Sequence, residues 1–295
     1  MSFSPFLLSV RDATFLILAD FVYFCTHEKI CDMLKAEELP KEQIYVVAHP
    51  DYFPETALEL AKRLADAHDK QICLLGILDK KETISAYEET FISWRNDRIS
   101  FPVNYYVLDE DFTDFMEFVE AVILIFEVSD VPPFNKPINQ LKLCRELRIP
   151  YYFVKPGQQI SFDRVLVPIG FLVEEREKGV FCRGMGLHFH SHIMLMVAND
   201  YGTRAQQNAS SIKSLMDKGN VEYEEVDSHK NSFKIELEAV DRVAELNADL
   251  LMISASREYG MDDILFGPKE LKVIKKSIIP LMVINPRKDL YTLCN

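Results

Sequence analysis

The sequence has 295 residues, 48% hydrophobic and 27% charged, which is ample apolar side chain for two cores and too much for a disordered chain. Its 33 Lys and Arg stand against 46 Asp and Glu, a formal net charge of -13. No Lys/Arg cluster provides a cationic face for a phosphate backbone, which argues against nucleic acid as a partner.

Residues 1–40 open the chain with apolar and aromatic side chains (Phe15, Leu16, Ile17, Leu18, Phe21, Val22, Phe24). A strand or helix packed on the first domain is expected there, in preference to a partner-binding arm. Arg11, Asp12 and Asp20 interrupt the apolar run, and neither a basic leader nor a small-residue cleavage site surrounds it. The expectation is therefore no signal peptide and no membrane span.

QIYVVAHP, residues 43–50, reads as a buried parallel strand, short and nearly all apolar. Residues 55–70 follow with Leu58, Leu60, Ala61, Leu64 and Ala65 in a stripe at helical spacing. QICLLGIL (71–78), FPVNYYVL (101–108), AVILIFEVSD (121–130) and IPYYFVKP (149–156) supply further strands. PGQQISF (156–162) is a short polar linker with Pro and Gly at its start.

After the linker the pattern repeats. RVLVPIGF (164–171) answers the first strand, a weaker charged helix spans 174–187, and HIMLMVAN (192–199) answers the second strand. The spacing from Val165 to Ile193 equals that from Ile44 to Ile72. NVEYEEVD (220–227) matches 101–108, and ADLLMISASR (248–257) matches 121–130. IPLMVINP (279–286) answers IPYYFVKP: Ile-Pro, four apolar residues, one polar residue, then Pro. Strands alternating with helices imply right-handed crossovers and parallel sheets covered on both faces. The fold class is thus α/β, two tandem five-stranded doubly wound domains at 41–156 and 162–288.

These strands, with VLVPIG opening the second half and the closing Ile-Pro strand, resemble the universal stress protein family in its tandem form. That resemblance implies an adenine-nucleotide-hydrolase-like fold. It also implies dimerisation through the last strands of two domains, which a tandem chain can make internally as a pseudo-dimer. ATP-binding members carry G-x2-G-x9-G-[ST] after the fourth strand, and laid on this sequence the motif falls on Ser254, Arg257, Gly267 and Pro268. Only Gly267 matches. The Asp that ends the family's first strand is replaced by Gly170, and by His49 in the first half. The loop from Ser129 lacks glycine and is too short for the motif, so no ATP site is expected in the first half and at most a reduced one in the second.

Sheets of this kind bind ligands at the carboxyl ends of their strands. Gly170, Ser254, Ser256, Arg257, Gly267 and Lys269 would line that crevice in the second half, with Arg257 and Lys269 available to an anion. His188, His190 and His192 would lie on one face if extended, as zinc requires, although the run straddles a helix-to-strand junction. Gly184 and Gly186 are expected to end or loosen the helix. Glu174, Glu175 and Glu177 read as a solvated helix start favoured by the dipole. The six cysteines (Cys25, Cys31, Cys73, Cys144, Cys182, Cys294) include no CxxC pair, and scattered thiols in apolar runs suggest a reducing, cytoplasmic setting.

No catalytic constellation stands out. The leading expectation is a stress-response protein of the universal stress type that lacks ATP binding and turnover and acts through protein or small-ligand contacts, with a homodimer and an unidentified protein partner both open. The alternatives are an ATP- or AMP-binding, weakly hydrolysing protein using the second domain, and a zinc-dependent binder through the histidine run.

Overall fold

A computed structural model describes residues 40–79, 82–109, 111–256 and 268–285. From Glu42 onward the chain forms one compact unit. The expectation for residues 1–39 lies outside the described residues.

The first half runs β1 (Ile44–Ala48), α1 (Glu55–His68), β2 (Ile72–Ile77), α2 (Ile84–Asp97), β3 (Asn104–Leu108), α3 (Phe112–Phe118), β4 (Ile123–Glu127), α4 (Pro137–Cys144) and β5 (Tyr151–Val154). The second runs β6 (Arg164–Ile169), a 3-10 turn (Val173–Glu177), α5 (Lys178–Phe189), β7 (His192–Val197), α6 (Arg204–Gly219), β8 (Tyr223–Val226), α7 (Ile235–Arg242), β9 (Leu250–Ser254), α8 (Lys269–Lys276) and β10 (Leu281–Ile284). Each half orders its strands 3-2-1-4-5 within its own numbering, and together they make one ten-stranded sheet, β3-β2-β1-β4-β5-β10-β9-β6-β7-β8.

All neighbours pair in parallel except at the junction, where β10 runs antiparallel to β5 with Met282 opposite Tyr152. Those two residues hold the same place in the two closing strands, so the local dyad passes between them. The register repeats elsewhere: Ile44 faces Ile123 as Val165 faces Leu250. At the third strand Asn104 faces Cys73 as Glu224 faces Met194, one residue off the match of 101–108 to 220–227. The junction also hides two edges that would otherwise be open to further strands. Of the remaining edges, β8 exposes Glu224 and Glu225, charges that discourage further pairing.

The polar residue in each closing motif has a reciprocal role across the dyad. Asn285 donates from Nδ2 to the Cys144 and Leu147 carbonyls at 2.6 and 2.8 Å, closing the end of α4. Lys155 donates from Nζ to the Lys275 and Ser277 carbonyls at 2.9 and 2.8 Å, closing α8. Each half thus supplies the other's last helix with donors for orphan carbonyls.

Every second strand residue (Ile44, Val46, Ile123, Ile125, Val165, Val167, Leu250, Met252) joins one apolar cluster spanning both halves. The linker belongs to it: Ile160 and Phe162 are buried, and the Phe162 ring meets that of Phe189 at 4.5 Å. The segment is a wedge in the core rather than a polar tether. Cys73, Cys144 and Cys182 are buried free thiols, and burial pushes the Cys182 thiol up to about 12.

Two local expectations need correction. The helix does not break at Gly184 or Gly186, which both lie inside α5; a Cβ at Gly186 would stand 2.2 Å from Val221, so this glycine permits close packing on the segment before β8. Glu174 and Glu175 are not a solvated face either, being 6% and 5% exposed.

Candidate functional site

The crevice of the second half opens where β6 and β9 end. Gly170 follows β6, and its N–H donates to Glu175 Oε2 at 3.1 Å. A Cβ here would meet Ser232 Oγ at 3.2 Å, while the Asn208 amide holds the Gly170 carbonyl at 2.9 Å. The backbone is clamped from both sides, which is why glycine suits the position. Ser254 ends β9 and is buried, and the Ser256 N–H donates to Glu270 Oε1.

Carboxylates and lysines fill the space between these backbone groups. Lys178 is fully buried; its Nζ donates to the Pro168 carbonyl at 2.6 Å and to Glu175 Oε2 at 2.7 Å. Lys269, the first residue of α8, donates to Glu236 Oε1 at 3.0 Å. Glu270 is 2% exposed, and its Oε2 has no hydrogen-bond partner. Burial would raise the Glu175 carboxyl, but Lys178, Lys269 and the Gly170 amide outweigh it and hold the group below its ordinary range. Burial dominates at Glu236, which is raised, with Lys269 and Lys178 opposing. Burial works against the charged form of Lys269, yet Glu236, Glu175 and Glu270 raise it above an ordinary lysine.

Of the residues proposed from sequence, Gly170, Ser256 and Lys269 therefore meet in one cluster, with Ser254 at the end of the adjoining strand. Arg257 and Gly267 lie outside the described residues. Lys269 is not a free cation awaiting an anion, because carboxylates already surround it. Sequence reasoning missed Glu175, Lys178, Glu236 and Glu270. Only the i,i+3 spacing of Glu175 and Lys178 gave a local signal for an ion pair.

The corresponding crevice in the first half is filled differently. Glu127, the counterpart of Ser254, ends β4 at 2% exposure. It accepts from Tyr52 Oη at 2.7 Å and from the Ala57 N–H at 2.8 Å, at the start of α1. Burial raises the Glu127 carboxyl, against the opposing pull of those two donors. Beside it His49 Nε2 lies 2.8 Å from Glu82 Oε1, while Tyr87 Oη donates to Glu82 Oε2 at 2.8 Å.

The histidine run does not form a ligand face. His188 sits in the last turn of α5, His190 takes a left-handed cap conformation (φ 56°), and His192 begins β7. An extended backbone was the condition for three side chains on one face, and a helix terminus replaces it. The His188 ring packs instead against His68, centroids 4.5 Å apart, and His192 lies 3.2 Å from Glu224. Among the described residues no group of three or more His, Cys, Asp or Glu is placed to hold a metal ion.

Sheet order, parallel crossovers and the antiparallel junction define a tandem doubly wound α/β protein. No family model matches the chain, and no curated protein does. Among solved structures it is similar to a universal stress protein from Archaeoglobus fulgidus DSM 4304, at 13% identity and a TM-score of 0.61 over 84% of this chain and 98% of that one. A provisionally assigned universal stress protein from Pseudomonas aeruginosa UCBPP-PA14 is 14% identical, with a TM-score of 0.58 over 86% and 96%. The cytoplasmic domain of a prokaryotic cation chloride cotransporter is 13% identical, at 0.51 over 83% and 96%. At such identities the likeness is one of fold: this chain has the universal stress protein fold in tandem form. Among the described residues no helix is long and apolar enough to cross a membrane.

Proposed function

We propose that this chain is a non-catalytic binding module of the universal stress protein type, acting in a stress response through protein or small-ligand contacts and binding no ATP at its strand-end crevices. The observation that carries the reading is that the chain's own carboxylates occupy both crevices. In the second half three carboxylates (Glu175, Glu236, Glu270) face two lysines (Lys178, Lys269), a set whose formal charge is negative when all are ionised. A phosphate about 4 Å from an uncompensated carboxylate meets roughly 4 kcal/mol of repulsion at an effective dielectric near 20. The lysines that would offset this are already engaged. In the first half Glu127 projects from the position where ATP-binding relatives would have the first glycine of their phosphate motif.

Calorimetric titration of the full chain with ATP and with AMP tests the reading. No saturable heat is expected for either nucleotide, and micromolar ATP binding overturns it.

A further inference from the structure

Where α5 of the second half crosses the amino-terminal strand ends of the first lies a cavity of about 450 Å³. Its size falls within the roughly 300–1,000 Å³ of small-molecule sites. Tyr152 and Met282, the residues paired on the dyad, form part of its lining, and Phe181 and Met185 of α5 form another part. Two aromatic rings and two thioethers favour an aromatic guest, because sulfur and ring edges both make favourable contacts with a π-face.

The polar part of the lining has one sign. His68, Lys70 and Arg148 contribute, and no Asp or Glu does, in a chain of net charge -13. Lys70 is already paired with Glu42 and Arg148 has an interaction of its own, so an incoming anion would share both cations. Burial, then His188 and Lys70, lower His68 below an ordinary histidine, which leaves Lys70 and Arg148 as the cations at neutral pH.

We infer that this junction cavity binds an aromatic monocarboxylate, its ring among Tyr152, Phe181, Met185 and Met282 and its carboxylate towards Lys70 and Arg148. The site arises only where the two halves meet. It is separate from the crevices, so its failure would leave the ATP reading untouched, and the reverse.

Gly184 supplies the test. It lines the cavity, and a Cβ there meets nothing within 4 Å, so Gly184→Leu fills the space while favouring the helix. The probe is 2-naphthylacetate, titrated calorimetrically into the full chain, with 2-naphthylethanol as the same ring system without charge. Saturable binding of one naphthylacetate per chain is expected, about tenfold or more tighter than the alcohol. Gly184→Leu should abolish it with the melting temperature retained, and ATP should not compete. Should that variant fail to fold, Val180→Glu, at a side chain 66% exposed on the cavity wall, places a repelling charge there and should weaken the carboxylate more than the alcohol. Absence of saturable binding, equal affinity for acid and alcohol, or undiminished binding in a folded variant overturns the inference.

Discussion

Replacing Lys178 by Met keeps the length of a fully buried side chain and deletes its ammonium. Two contacts vanish, to the Pro168 carbonyl and to Glu175 Oε2, and Glu175 is left buried with the Gly170 N–H as a remaining donor. Breaking a buried pair from one side costs about 3–5 kcal/mol, because the surviving charge is uncompensated. For a chain of this size that corresponds to a fall in melting temperature of about 6–20 °C. The sign with pH is definite. In the native protein Glu175 lies below its ordinary range, so its contribution is present above the unfolded carboxylate pKa and lost as pH falls through the folded value. In Lys178→Met burial is less opposed and the carboxyl rises, so the deficit grows as pH rises from about 4 to 7. Urea unfolding across that interval measures it. Adding Glu175→Gln removes the stranded charge but keeps an acceptor for Gly170, and should recover at least half of the loss. A deficit below about 1 kcal/mol, one independent of pH, or a double variant no better than the single would refute the argument.

Gly186→Ala, which must push Val221 aside, should lose about 1–3 kcal/mol, whereas Gly184→Ala, with open space at its Cβ, should gain up to about 1 kcal/mol; thermal unfolding of the pair separates packing from propensity. Asn285→Ala removes a donor from the buried Leu147 carbonyl and from the Cys144 carbonyl, which keeps the Leu147 N–H at 3.1 Å, and should cost about 1–3 kcal/mol in denaturant unfolding. Glu236 is raised by burial, so it favours the fold below the unfolded carboxylate pKa and this contribution is lost as pH rises through the folded value; Glu236→Gln should flatten the stability profile there, as read by unfolding at a series of pH values. Tyr52→Phe removes a donor from Glu127 and should destabilise by about 1–3 kcal/mol.

Repetition at matched spacing was enough to read all ten strands and the division into halves: the inner strands, buried on both faces, must be apolar along their whole length, and β8, which exposes Glu224 and Glu225, was legible by its place in the repeat. Polar residues in the closing motifs were visible too, as Lys155 and Asn285, but their reciprocal capping was not. It depends on which helix end the antiparallel junction brings within reach. The same holds for the crevice. Gly170 and Lys269 were found as candidates by their place near the carboxyl ends of strands, whereas Glu175 read as a solvated helix start and Glu236 carried no signal of its own. Tertiary structure reversed that reading by setting lysines from other elements beside them. Local pattern records how much of a strand or helix is covered; what covers it, and with which charge, is decided only when segments distant in sequence pack together.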